Sequence, residues 1–256
     1  MELLDLPNEM ILEIGENLAS QGDIHALSQG NKRLYHLLNH HLYKTNAERH
    51  GSTALLWAVE HLDAEIARKA LAAGASVMAT NARAETPLFL AVSQPRSYQM
   101  VELLLENGAA ATLDSTPVPL IEAVSQNADI AVVQLLLQHG AGVNEEDRFG
   151  ATALCWAADT GQEVVTNLLI EAGARVNLDI FPVHPYPRVI GTPLLAAAAG
   201  GYERIVQLLI KHGADLHATD DFDGEDSLTK AYRRGHQAVI NALIEALARE
   251  EYDDPA

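Results

Sequence analysis

From about residue 51 to the C-terminus, the apolar residues fall into short segments of two alternating types. The first type begins with Thr or Val and carries Leu two residues later and Ala three residues after that Leu, as in 53–59 and 152–158. The second type holds a run of three aliphatic residues, as at 103–105 and 135–137. Spacings of three and four residues place side chains on one face of a helix. Each pair of segments therefore predicts two short amphipathic helices.

A Gly-Ala dipeptide closes each predicted pair of helices. The five glycines are 34, 32, 33 and 40 residues apart, at Gly74, Gly108, Gly140, Gly173 and Gly213. Glycine ends a helix easily because it adopts the left-handed conformation at little steric cost, and Thr begins one by accepting from an unpaired N–H. A degenerate sixth copy runs from Asp226 to Leu243. Because one copy cannot bury its apolar face alone, the copies must stack. We predict an all-α solenoid over 51–249, with the sixth copy as its C-terminal cap.

The repeated segments resemble the ankyrin repeat, whose motif reads Gly-x-Thr-Pro-Leu-His-x-Ala-Ala, then Gly-His, an apolar run and Gly-Ala. Five copies agree in register over about 200 residues. The motif's His is replaced in each of them, by Leu56, Phe89, Ile121, Cys155 and Leu195. The usual Thr–His hydrogen bond is therefore absent, and packing must substitute for it. The resemblance implies an ankyrin-repeat solenoid of helix-turn-helix repeats joined by short β-hairpin fingers, and a role in binding another protein.

The first 50 residues follow a different pattern, in which apolar residues at helical spacing come after a Leu-Pro-x-Glu start. This pattern resembles the F-box, a small helical module by which substrate receptors dock onto the Skp-type adaptor of a cullin ubiquitin ligase. The resemblance implies that the adaptor-binding residues are Leu6, Pro7, Glu9, Ile11, Ile14, Leu18, Ile24 and Leu27. We therefore predict an F-box-like helical module over 1–50. In the alternative interpretation these helices only cap the first repeat by covering its apolar face.

The connection between the fourth and fifth repeats is the longest in the array. Fourteen residues separate Asn177 from Thr192, against seven between Asn144 and Thr152. Its three prolines favour an extended conformation, which reduces the entropy lost on binding. We predict that a target protein binds this loop, 178–191, and the neighbouring finger tips. The predicted partner-binding residues are Arg148, Phe149, Phe181, His184, Tyr186, Arg188, Asp221 and Phe222. A competing hypothesis places an enzyme pocket at the same loop.

Composition and charge narrow the class of partner. The chain has 17 basic and 35 acidic residues, a formal net charge of −18, which repels phosphate backbones and anionic membranes. A basic protein partner is favoured over nucleic acid or a membrane. His36 and His40 are four residues apart without an evident third ligand, and no phosphate-binding glycine motif is present. We predict a protein without enzymatic activity, cofactor or metal.

Three single features complete the prediction. Cys155 stands in an apolar run, which indicates a buried thiol. Trp57 and Trp156 share one repeat position, where a core or half-buried groove is expected.

No stretch approaches the ~20 apolar residues that cross a bilayer, so we expect a soluble cytoplasmic or nuclear protein. We also predict an acidic tail over 250–256. The predicted function is a substrate receptor that links a target protein to a Skp-cullin-F-box ubiquitin ligase. The alternative is an ankyrin scaffold or inhibitor.

Overall fold

The computed structural model describes residues 52–112, 118–177, 191–219 and 224–253. The regular elements in these ranges are all α-helices, and no strand is formed there; two isolated antiparallel bridges join Glu146 to Thr152 and Thr219 to Asp226. This confirms the all-helical prediction. In chain order the helices are α1 Thr53–Glu60, α2 Ala64–Ala72, α3 Pro87–Val92, α4 Tyr98–Glu106, α5 Pro119–Ser125, α6 Ile130–Gln138, α7 Ala153–Asp159, α8 Glu163–Glu171, α9 Pro193–Gly200, α10 Glu203–Lys211, α11 Ser227–Arg234 and α12 Gln237–Asp253.

The chain divides into two compact units between Ala110 and Ala111, and each unit has two layers of helices. In the first unit α1 packs against α3, and α2 packs against α4. In the second unit the first helices of the repeats, α5, α7, α9 and α11, pack in series, and the second helices, α6, α8, α10 and α12, do the same. Within each unit, a helix pair buries its apolar side against the next pair, as a stacked repeat requires.

The repeated Leu of the first helices forms the centre of the core. Each of these side chains is at most 1% exposed: Leu55, Leu88, Leu120, Leu154 and Leu194. The residues that replace the motif's His are buried as well, except Phe89, which is half-buried. Packing therefore takes the place of the missing hydrogen bond, as predicted. In the fourth copy a weaker hydrogen bond joins the same two positions, since the Thr152 hydroxyl donates to Cys155 Sγ at 3.3 Å.

The predicted helix starts are correct in three of the four repeats that begin with Thr. The side-chain oxygens of Thr86, Thr152 and Thr192 each accept from a backbone N–H three residues later. In the sixth repeat, which does not begin with Thr, Asp226 makes the same bond. The prediction is wrong for Thr53, which is the first residue inside α1. The preceding Ser52 has φ 64°, and its hydroxyl accepts from the N–H of Ser76 at 2.9 Å instead. A longer-range bond thus replaces the local cap.

The turn between the two helices of a repeat contains one residue in the left-handed conformation. Its φ lies between 53° and 78° in all six repeats, at Leu62, Arg96, Asn127, Gly161, Gly201 and Gly235. At Gly161 the backbone also approaches a neighbour: a Cβ built there would be 2.5 Å from Cε1 of the Tyr202 ring, which belongs to the next repeat. The conformation thus favours glycine at this turn, and the space left by the Tyr202 ring requires it.

Two asparagine side chains in the loops that follow the second helices connect one repeat to the next. Asn144 donates through Nδ2 to the carbonyl of Gly173 at 3.1 Å, and its Oδ1 accepts from the N–H of Arg175 at 2.7 Å. Asn177 makes the same two bonds to the following repeat, at 2.8 and 2.9 Å. These bonds fix the spacing of the loops from which the fingers project.

The last helix, α12, is 17 residues long, against nine for each of the other second helices. It continues to Asp253, so it includes the first residues of the range 250–256 that the charge pattern predicts to be a tail. Glu250 lies 3.4 Å from Nε2 of His217, an exposed ion pair when the imidazole is protonated. No helix in the described ranges is long and apolar enough to cross a bilayer.

Candidate functional site

Two of the predicted contact residues, Arg148 and Phe149, lie in the part of the chain that the structure describes. The predicted adaptor-binding residues lie outside it: Leu6, Pro7, Glu9, Ile11, Ile14, Leu18, Ile24 and Leu27. The remaining predicted partner-binding residues also lie outside it: Phe181, His184, Tyr186, Arg188, Asp221 and Phe222. The same holds for nearly all of the loop 178–191, where the competing hypothesis places an enzyme pocket. The site is therefore built from the finger that carries Arg148 and Phe149, residues 141–151.

The tip of this finger is held by Asp147. Its Oδ1 accepts from the N–H of Phe149 at 2.8 Å and from the N–H of Ala151 at 3.0 Å. The N–H of Asp147 donates to the carbonyl of Ala151 at 2.9 Å, and that of Gly150 donates to the carbonyl of Asp147 at 2.9 Å. An Asp side chain that accepts from backbone groups just downstream is a common way to stabilise a turn. The finger tip thus has a defined conformation in front of α7.

The second carboxylate oxygen of Asp147 connects the finger to α7. Trp156 Nε1 donates to Asp147 Oδ2 at 3.0 Å. The indole packs against the buried residues Ala151 and Cys155 and is itself half-buried, as the sequence predicts for this position. A buried ring body with a hydrogen-bonded N–H is the usual arrangement for Trp at a binding surface. The ring is therefore fixed in orientation and still partly accessible.

Trp57, at the equivalent position in the first unit, has a different environment. It is 47% exposed, more than the expected core or half-buried groove would allow. The imidazole of His61 stacks on its ring, with 4.0 Å between ring centroids and 18° between ring planes. His61 Nδ1 also lies 2.8 Å from the carbonyl oxygen of Trp57, and since a carbonyl can only accept, Nδ1 is the donor. One face of the Trp57 ring is thus covered by the residue that follows its helix.

Arg148 and Phe149 interact with each other at the finger tip. The Arg148 guanidinium carbon is 4.6 Å from the centroid of the Phe149 ring, within the range of a cation–π contact. Arg148 is exposed and Phe149 is half-buried. We call the four residues Asp147, Arg148, Phe149 and Trp156 the finger–helix patch. The sequence predicts two of them as contacts; it missed Asp147, although an Asp followed three residues later by Gly at a finger tip is a recognisable turn signal.

Carboxylates surround the finger–helix patch. Glu146 precedes Asp147 in the finger and is exposed. Glu122 occupies in α5 the position that Trp156 occupies in α7, and the two helices pack against each other. Asp159 follows Trp156 by three residues, which places it on the same side of α7. The neighbourhood is therefore acidic, in keeping with the net charge of the chain.

The thiol of Cys155, which packs against Trp156, is not a nucleophile at neutral pH. Cys155 is buried, and burial raises the pKa of its thiol to about 11. A thiol with this pKa stays protonated at neutral pH and is a poor nucleophile. Within the described ranges no three His, Cys, Asp or Glu side chains are grouped so that they could hold a metal ion. The patch instead offers two aromatic rings, a guanidinium and several carboxylates at a rigid surface.

Comparisons with known proteins agree with this architecture. The family model for ankyrin repeats (3 copies) matches residues 24–115, 110–180 and 187–254. The chain is 30% identical to the ankyrin repeat protein YahD of Escherichia coli over 198 residues, which cover 75% of this chain and 94% of YahD. It is 36% identical over 181 residues to the mouse B-cell lymphoma 3 protein homolog, covering 70% of this chain and 32% of that protein.

A solved structure supports the same assignment. The crystal structure of an ankyrin repeat domain from Acinetobacter baumannii AYE superimposes with a TM-score of 0.64 at 27% sequence identity. The superposition covers 75% of this chain and 96% of that domain. With the family match, the stacked helix pairs and the repeated Thr, Leu and Gly positions, these findings show that the chain belongs to the ankyrin repeat family.

Proposed function

We propose that this protein is a protein–protein interaction module whose target surface includes the finger–helix patch. Ankyrin repeats are interaction modules as a class, and the proposal assigns the contact to specific residues. The observation that carries it is the fixed indole of Trp156, which is held by Asp147 and lies beside the Arg148–Phe149 pair. Trp, Arg and Phe are the residue types that supply most binding energy or are enriched at interfaces. A surface that is already ordered loses little entropy on binding.

The target class follows from charge. The net charge of −18 and the carboxylates around the patch favour a basic protein over nucleic acid or an anionic membrane. The loop 178–191 adds Phe181, His184, Tyr186 and Arg188 as further proposed contacts, with Asp221 and Phe222 in the next finger, on the strength of the sequence alone. Replacement of 178–185 by a short Gly-Ser turn tests this part of the proposal, and we expect it to reduce target affinity while the repeats stay folded.

The test of the patch begins with affinity capture of the target from the native cell, followed by binding measurements with the purified partner. We expect Phe149→Ala to weaken target binding by roughly 1–3 kcal/mol, the range typical of an interface hot spot. Val164→Ala is the matched control, because Val164 is 66% exposed but lies on a second helix, α8, away from the finger. Equal affinity of both variants for the captured target would show that the target binds elsewhere.

We also propose that the segment 1–50 docks a Skp-type adaptor and that the protein is a substrate receptor of a cullin ubiquitin ligase. The support is the sequence pattern that begins with Leu6, Pro7 and Glu9. The match to ankyrin repeats begins at residue 24, inside this segment, and favours the alternative in which the second part of the segment caps the repeats. In that alternative the protein is a scaffold or inhibitor that does not engage a ligase.

Co-purification with a recombinant Skp-type adaptor distinguishes the two alternatives. If the segment docks the adaptor, the wild-type chain binds it and the double variant Leu6→Ala/Pro7→Ala does not, while both proteins unfold at nearly the same temperature. If the segment only caps the repeats, the wild type does not bind the adaptor, and the double variant lowers the unfolding temperature. The target-binding proposal is independent of this outcome.

A further inference from the structure

The two tryptophans of the repeat array offer their ring faces in different ways. In the first unit, His61 already stacks on the face of Trp57 at 4.0 Å. In the second unit, Trp156 packs against Ala151 and Cys155, and its Nε1 at the ring edge donates to Asp147. Since Trp156 is only half-buried, part of its indole remains accessible to a partner.

The electrostatic environment of this ring favours a cation. The indole donates its N–H to a carboxylate, and a donor bonded to an anion is polarised so that electron density shifts onto the ring. Asp159 is three residues from Trp156, a spacing that brings Cβ atoms within about 5–6 Å of each other. Glu122 is on the adjacent helix α5, whose axis is about 8–10 Å away. A cation placed over the indole is thus near several carboxylates, all within roughly one Debye length at physiological salt.

The finger itself shows how such a cation is accommodated. The guanidinium of Arg148 lies over the ring of Phe149 at 4.6 Å. Arg148, the cation of the finger tip, is therefore already placed on another ring. A guanidinium or ammonium group of a partner is the kind of group that an indole attracts, because Trp is the ring that binds cations best.

We propose that Trp156 binds an arginine or lysine side chain of a basic, extended segment in the partner protein, through a cation–π contact reinforced by Asp147, Asp159 and Glu122. This inference rests on the proposed function, which it deepens by naming the chemistry that the target presents. The occupant is a basic polypeptide, because an acidic segment would meet like charges around the ring and an apolar one would gain nothing from the carboxylates.

The probe is a fluorescein-labelled peptide of alternating Gly and Arg with three Arg residues, measured by fluorescence anisotropy with the full chain at about 50 mM salt. The control peptide carries citrulline in place of Arg, which keeps a planar group of nearly the same shape but replaces the charged guanidinium with a neutral urea. We expect Trp156→Leu to weaken binding of the Arg peptide by roughly tenfold. We expect Trp57→Leu, the matched control, to change binding much less, because His61 already covers one face of that ring.

A variant that leaves the indole in place tests the role of its anchor. Asp147→Asn keeps one oxygen for the finger turn but lacks the second carboxylate oxygen that holds Trp156 Nε1. We expect it to weaken Arg-peptide binding and to leave the helix content unchanged by circular dichroism. The emission of Trp156, observed alone in a Trp57→Phe background, should change on titration with the Arg peptide and not with the citrulline peptide.

Equal affinities of the wild type, Trp156→Leu and Trp57→Leu would mean diffuse attraction to an acidic protein, and the inference would be overturned. It would also be overturned if the citrulline peptide changed the Trp156 emission as much as the Arg peptide. These results are separable from a failure of the proposed function. If Phe149→Ala weakens binding of the captured target while Trp156→Leu leaves binding of the Arg peptide unchanged, the patch binds its target without a cation on the indole.

Discussion

The contact between Gly161 and the ring of Tyr202 gives a quantitative test of how successive repeats are joined. Gly161 lies in the turn between α7 and α8 with φ 75°, and Tyr202 precedes α10 in the next repeat. Gly161→Ala introduces a Cβ whose nearest neighbours would be three atoms of this ring, at 2.5, 2.7 and 2.9 Å. Real Cβ atoms do not approach carbon this closely, so the ring or the turn must move.

Two separate terms set the size of the effect. The left-handed conformation costs a residue with a Cβ about 1–2 kcal/mol. Overpacking against a ring that is held by its neighbours adds roughly 1–3 kcal/mol. Gly161→Ala should therefore lower the free energy of unfolding by about 2–5 kcal/mol. Gly173→Ala is the control for the first term alone, because Gly173 has φ 90° but no atom within 4 Å of its built Cβ.

Urea unfolding followed by circular dichroism measures both terms in a double-mutant cycle with Tyr202→Ala. When the ring is absent, Gly161→Ala should cost only about 1–2 kcal/mol, the same as Gly173→Ala in the wild-type background. The coupling energy between the two positions should be about 1–3 kcal/mol. If the two changes were additive within about 0.5 kcal/mol, the ring would not be what restricts this turn to glycine, and the proposed steric link between repeats would be wrong.

Three further predictions concern stability and reactivity. Arg96→Gly should raise the free energy of unfolding by about 1 kcal/mol, because Arg96 is exposed with φ 61°, whereas Arg96→Ala should bring no gain; thermal and urea unfolding measure both. Asn144→Ala should lower the free energy of unfolding by about 1–2 kcal/mol, because the Gly173 carbonyl and the Arg175 N–H lose their partner. The urea midpoint should fall accordingly, and an unchanged midpoint would contradict this prediction. Cys155 should react with a thiol reagent at pH 8 only after unfolding, because burial raises its pKa from about 9 to about 11. The unfolded chain loses the proton of this thiol near pH 9, whereas the folded chain keeps it until about pH 11. The stabilisation from the buried, protonated thiol should therefore be complete below pH 9 and be lost as the pH rises towards 11. Urea unfolding across that range would detect the loss.

The sequence by itself determines the helices and their register, because the signals for them are local. Helical spacing of apolar residues, Thr before Pro, and Gly after an aliphatic run act within a few residues, and their repetition at 32–40 residues predicts the stacking. The repeated Leu, such as Leu154, is buried as the pattern requires. The capping of α3, α7 and α9 by Thr follows in the same way, since the bond spans only three residues.

The tertiary structure decides the features that depend on groups far apart along the chain or on the geometry of stacking. Thr53 is not a cap because Ser52 bonds to Ser76, 24 residues away. Arg96 is left-handed because the turn between stacked helices demands it, although its residue type disfavours that conformation. Trp57 and Trp156 share one repeat position, yet one is 47% exposed and the other is anchored by a carboxylate nine residues earlier. A repeat pattern specifies the position of a residue on its helix. The exposure of its side chain and its hydrogen-bond partner depend on which residues the folded chain brings beside it.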